Sequence, residues 1–156
     1  MVDRCEDGYI LFGCGDGDQS VDLLVDHLMK QLGLKKRPHL EMLNGGALRL
    51  VAEAPIPARL RVHEQMVAEL LTSRHLKRIP TLLLYAHYPC GMAGECNITL
   101  PEVLHFLFLA GQKLIEQGWD PKRIILLFHV DHDGQRKRTY YVERTKSELI
   151  FSAPEG

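Results

Sequence analysis

The chain has 156 residues, 46% apolar and 25% charged, with a formal net charge of -1. That is the composition of a globular protein long enough to bury a core, and its mixed charges exclude a nucleic-acid footprint or a polybasic membrane patch. No run approaches the ~18 consecutive apolar residues of a membrane span. The polar start Met1-Val2-Asp3-Arg4-Cys5-Glu6-Asp7 lacks a secretory apolar stretch, so a cytoplasmic protein with reduced thiols is expected.

Short apolar runs alternate with amphipathic helices, which predicts a single α/β domain with a central, mainly parallel sheet. Tyr9 to Phe12 is the first strand. Val21, Leu24, Val25, Leu28, Met29 and Leu32 recur at three and four residues, so Ser20 to Leu32 is a helix and Gly33 ends it. Beyond Arg37-Pro38, His39 to Leu43 is a weaker strand, followed by a tight loop at Asn44-Gly45-Gly46. A second helix covers Leu60 to Leu76, with Met66, Val67, Leu70 and Leu71 facing inwards. Pro80 precedes the central strand Thr81 to Ala86. Thr99-Leu100-Pro101-Glu102 is a capping box opening a third helix, which Gly118 closes. Ile124 to Val130 suits a strand covered on both faces. Asp133-Gly134 turns the chain into a last strand near Thr139 to Val142. Arg136-Lys137-Arg138 is expected as a solvated turn.

The chemistry concentrates at two strand ends. Cys14-Gly15-Asp16-Gly17-Asp18 follows the first strand, and His87-Tyr88-Pro89-Cys90-Gly91 follows the central one. In an open parallel sheet, ligands collect at the carboxyl ends of strands. Either segment alone is unspecific, because a cysteine ending a buried strand is commonly a small core residue. Together, Cys14, His87 and Cys90 offer three of the four donors of a tetrahedral zinc ion, with the fourth position open to water or a carboxylate. The spacing of His87 and Cys90 lets one turn present both donors.

These residues resemble the β-class carbonic anhydrases. Cys14-Gly15-Asp16 matches the family's Cys-x-Asp-x-Arg, His87-Tyr88-Pro89-Cys90-Gly91-Met92 its His-x-x-Cys segment, and Asn44-Gly45-Gly46 its diglycine turn with one residue missing. The resemblance implies a zinc cofactor held by Cys14, His87 and Cys90, reversible hydration of carbon dioxide to bicarbonate, and a homodimer. It also implies Asp16 as the catalytic residue that orients the reacting water. Two positions depart from the family. Asp18 stands where its arginine is expected, and Leu43 stands where another arginine precedes the asparagine. The longer interval from Cys14 to His87 implies an insertion around Ala47 to Arg59. Without its arginine partner, Asp16 either orients water or becomes the fourth zinc ligand, and weak or conditional hydration is expected. Arg4, Arg37 and Arg49 are candidate substitutes for the missing cation.

Two alternatives stay open: a zinc-binding protein of this type without hydratase activity, and a metal-free cysteine enzyme using Cys90. Cys96 is a redox partner, an alternative ligand or, as the simplest reading, a spectator. Cys5 carries no argued role. His129-Val130-Asp131-His132-Asp133 has the period to put His129, Asp131 and Asp133 on one strand face, but such residues are also common where a turn begins. The other histidines show no ligand spacing. No GxSxG, P-loop or dinucleotide fingerprint is present.

Overall fold

A computed structural model describes residues 8–15, 25–26, 29–31, 33–132, 137–144 and 149–152. Among the described residues a six-stranded sheet forms, in the order β2-β1-β3-β4-β5-β6. Its strands are β1 (Ile10–Gly13), β2 (His39–Met42), β3 (Leu82–Tyr88), β4 (Ile124–Asp131), β5 (Lys137–Arg144) and β6 (Leu149–Ser152). β2, β1, β3 and β4 run parallel, whereas β5 and β6 join antiparallel. The α/β fold with a mostly parallel sheet is therefore as the alternation of apolar runs and helices implies.

The parallel strands are apolar on both faces because both faces are covered. Ile10, Phe12, Leu82, Leu84, Ala86, Leu126 and Phe128 point into a large core. Tyr9, Leu11, Leu83, Tyr85 and Leu127 alternate with them and enter a smaller one with Val25 and Leu34. The large core is capped by α1 (His63–Lys77) and α3 (Leu100–Glu116), with the short α2 (Gly91–Glu95) between β3 and α3. Residues 25–26 and 29–31 are helical, within the stretch expected as the first helix. The rest of that stretch lies outside the described residues.

Local chemistry sets the helix ends. At the start of α3, Glu102 accepts hydrogen bonds from the Thr99 backbone N–H and hydroxyl, both at 2.7 Å, which satisfies the capping box. The same donors hold the Glu102 carboxyl below its usual range. Past the far end, buried Trp119 donates its indole N–H to the Pro80 carbonyl at 3.0 Å. The Arg74 guanidinium sits 4.9 Å above the Trp119 ring, tying α1 to the same corner. Among the described residues, no helix is long and apolar enough to cross a membrane.

Four details stand apart from the sequence reading, one being β6, which follows the strand expected to be the last. β3 runs on through His87 to Tyr88, because the parallel ladder to β4 continues as far as Tyr88 opposite Val130. His87 is thus a strand residue rather than a turn residue. β5 begins at Lys137, so Lys137 and Arg138 belong to a strand, with Arg138 exposed. The stretch between Ala47 and Arg59 is folded into the core, with Ala47, Leu48, Leu50, Val51, Ala54 and Ile56 buried. Its first part is a 3-10 turn, Gly46–Leu50, entered through Gly45 in the left-handed region.

That entry is tight. A Cβ on Gly46 would lie 2.6 Å from the Cys14 nitrogen and 2.7 Å from the Gly13 carbonyl carbon, both backbone atoms. Gly46→Ala is expected to lower the unfolding free energy by about 2 kcal/mol through overpacking, read as a shifted denaturation midpoint at unchanged m-value.

Candidate metal centre

β1 pairs with β2 on one side and β3 on the other, so the chain order reverses between β1 and β3. Crevices form at such a switch point, outside the carboxyl ends of the strands. Cys14 is the first residue past β1 and His87 is the penultimate residue of β3. The chain then passes through a cis Tyr88–Pro89 bond to Cys90, which precedes α2 and accepts a hydrogen bond from Gly94 N–H at 2.9 Å. Strand adjacency therefore delivers all three donors to one place.

The Cys14 and Cys90 sulfurs stand 4.0 Å apart. With a ligating nitrogen of His87, the three donor atoms all lie within 4.8 Å of one another. All are buried, with relative exposures of 5%, 2% and 7% for Cys14, His87 and Cys90. Zn–S bonds of ~2.3 Å at a tetrahedral angle put two sulfurs about 3.8 Å apart, and a sulfur and an imidazole nitrogen about 3.6 Å apart. The sulfur pair is already close to that spacing. The three donors form a buried group that can hold a metal ion.

The surroundings stabilise negative sulfur. The Cys90 thiol is pulled down to about 4, chiefly because Cys14 hydrogen-bonds to it. Burial opposes this, while hydrogen bonds from His87 and the Ala93 backbone N–H, and the His87 charge, reinforce it. Cys14 in turn accepts the Gly45 backbone N–H at 3.3 Å. Behind the site, the Tyr85 ring stacks on His87, with centroids 6.1 Å apart and planes 12° from parallel.

The residues singled out from sequence divide clearly. Cys14, His87 and Cys90 come together. Asp16 and Asp18, with Arg4 and Cys5, lie outside the described residues. Arg37 pairs with Asp26 at 3.6 Å on an exposed surface. Arg49 lies on the 3-10 turn beside the site and donates to the Asn44 carbonyl at 3.4 Å. Cys96 is half-buried at the far end of α2 and outside the donor group. His129 is buried beside His87 in the β3–β4 register, and its Nδ1 hydrogen-bonds to Thr139 Oγ1 at 2.9 Å. With Asp131 it forms no metal-holding group among the described residues, and Asp133 falls outside them.

Sequence reasoning missed the roles of Tyr85 and Gly45. Tyr85 was detectable in principle, since a residue two before His87 on a strand shares its face. The Gly45 contact is made by backbone and has no side-chain signature. Comparison with known protein families, curated proteins and solved structures found no match to this chain.

An ionised Cys90 leaves one cysteine proton for an incoming metal to displace, where two ordinary thiols would lose two. Zinc binding at pH 7 should therefore release about one cysteine proton, and affinity should fall as the pH is lowered below 7. The Cys90 proton begins to compete only as the pH nears its value of about 4. Calorimetry in buffers of different ionisation enthalpy measures both quantities.

Proposed function

We propose that this protein binds zinc through Cys14, His87 and Cys90 and catalyses the reversible hydration of carbon dioxide to bicarbonate. The observation that carries the reading is the meeting of two buried sulfurs with an imidazole at the switch point of the sheet. Two sulfurs and one nitrogen suit zinc, whereas calcium and magnesium take oxygen donors. Three protein donors leave one tetrahedral position open, as in catalytic sites. When bound, zinc supplies the Lewis acidity that activates water near neutral pH.

The chain's own residues then have distinct tasks. Cys14 and Cys90 would hold the cation, and their two thiolates would cancel its formal charge, which would weaken the acidity it supplies relative to a site of three imidazoles. His87 adds a neutral donor whose ring is backed by Tyr85. By the resemblance, Asp16 would orient the reacting water or become the fourth ligand, since Asp18 stands where the cation that would keep Asp16 from the metal is expected. Ala86, Ala93 and Ile98 share the apolar core with both cysteines. Such a wall limits bulk water and suits a small apolar substrate.

Two observations favour other readings. The charge reversal at Asp18 favours a zinc protein of this type without hydratase activity. The ionised Cys90 is the state that a metal-free cysteine enzyme requires.

The purified protein is expected to carry about one zinc per chain by elemental analysis. Stopped-flow hydration should rise towards alkaline pH. Cys14→Ser should lose metal and activity together. Asp18→Arg should raise the rate on the order of tenfold, equivalent to about one pKa unit of differential stabilisation. Zinc without hydration at any pH supports the non-catalytic protein. A metal-free protein with an activity abolished by Cys90→Ser supports the cysteine enzyme.

A further inference from the structure

The turn Asn44-Gly45-Gly46 supplies no ligand, yet its backbone is built against Cys14. Leu43 N–H donates to the Gly13 carbonyl at 3.0 Å, and Gly15 N–H donates to the Leu43 carbonyl at 3.4 Å. Cys14 is thus bracketed by two bonds to a single residue, which carry the β1–β2 pairing past the end of β1. Gly46 N–H also donates to the Leu43 carbonyl at 2.8 Å, closing the turn. Gly46 then packs directly on the Cys14 backbone, where a Cβ would have no room.

Gly45 sits between two parts of the site. Its N–H donates to Cys14 Sγ at 3.3 Å. On its other side, a Cβ would come within 2.9 Å of Met92 Cγ, two residues beyond Cys90. Its φ of +86° is a conformation that glycine adopts without steric cost. Cys90 receives the corresponding bond from the Ala93 backbone N–H. Each sulfur therefore has one amide donor. An amide held against a ligating sulfur fixes its rotamer and offsets part of the charge of two neighbouring thiolates, and outer-shell partners of this kind strongly affect metal affinity.

We propose that Gly45 is a positioning residue of the metal centre, its backbone N–H holding the Cys14 sulfur in the ligating geometry through a bond that metal affinity depends on. The proposal rests on the reading that Cys14, His87 and Cys90 bind a metal. It does not depend on which reaction follows. A turn serving only the fold would move stability and leave the metal's spectrum unchanged.

Two measurements test it on the full chain. In protein loaded with a spin-active cadmium isotope, the Gly45 amide proton is expected to show scalar coupling to the metal through the N–H···S bond. A resolved Gly45 amide without that coupling in the loaded protein overturns the proposal. Replacing the Gly45 peptide N–H with an ester oxygen should weaken cobalt(II) binding by about 10- to 100-fold and shift the sulfur-to-cobalt charge-transfer band. The same replacement at Gly118, whose N–H bonds to the Ile115 carbonyl at 2.9 Å, removes an equivalent turn bond and should leave affinity and band unchanged. Unaltered affinity and spectrum in the Gly45 ester overturn the positioning role alone. A wild-type protein with no sulfur-to-cobalt band overturns the metal reading, and this proposal with it.

Discussion

Parallel hydrogen bonding between β1 and β3 is the constraint on which the site depends. The two sulfurs are separated by 76 residues of chain and 4.0 Å of space. Neighbouring strands lie ~4.8 Å apart, so residues leaving adjacent parallel strands at the same end emerge within reach of one another. The ladder from Ile10 opposite Leu82 to Phe12 opposite Leu84 sets that alignment. It is held by the apolar residues on both faces, since sliding either strand by one residue would exchange the faces of the two cores. The chemistry is therefore a consequence of core packing below it.

A group assembled in this way must compensate its negative sulfur. Two sulfurs and an imidazole share a buried space, and Cys90 is ionised there with Cys14 hydrogen-bonded to it. Burial of negative charge is costly unless it is paired or hydrogen-bonded. The Gly45 and Ala93 amides, the Cys14 thiol and His87 meet part of that cost. A dication would meet more of it. Because the donors come together only in the folded chain, binding one would stabilise the fold by mass action.

The fold class was legible because its signal is carried by long apolar runs: Leu82 to Ala86 and Ile124 to Val130 have few conformations that bury them. The three donors were legible because Cys14, His87 and Cys90 all sit near the ends of such runs. Other features left weaker traces. Leu40 on the edge strand β2 is 43% exposed, so β2 lacks a clear apolar pattern. β3 outran its apolar stretch because the β4 ladder continued beneath His87, a tertiary effect invisible in local sequence. The segment after Gly46 buries Leu48, Leu50 and Ile56 without helical or strand periodicity, since 3-10 turns give a pattern too short to recognise.

The same segment helps explain how a centre with three side-chain donors among the described residues keeps its shape. Ligands on a strand end or a connecting turn are less constrained than ligands within a helix or sheet. Here the loose end of β1 is fastened by Leu43 and Gly46, and the residues after Gly46 run straight into the large core. Moving Cys14 would therefore disturb the packing of Ala47, Leu48 and Leu50, as well as breaking the hydrogen bonds of the turn. On the other side, Met92 and Ala93 connect Cys90 to that core. Both sulfurs are thus anchored to one apolar body from different directions. Their separation is set by that body, which holds the sulfur pair 4.0 Å apart, close to the spacing of two sulfurs on one tetrahedral ion.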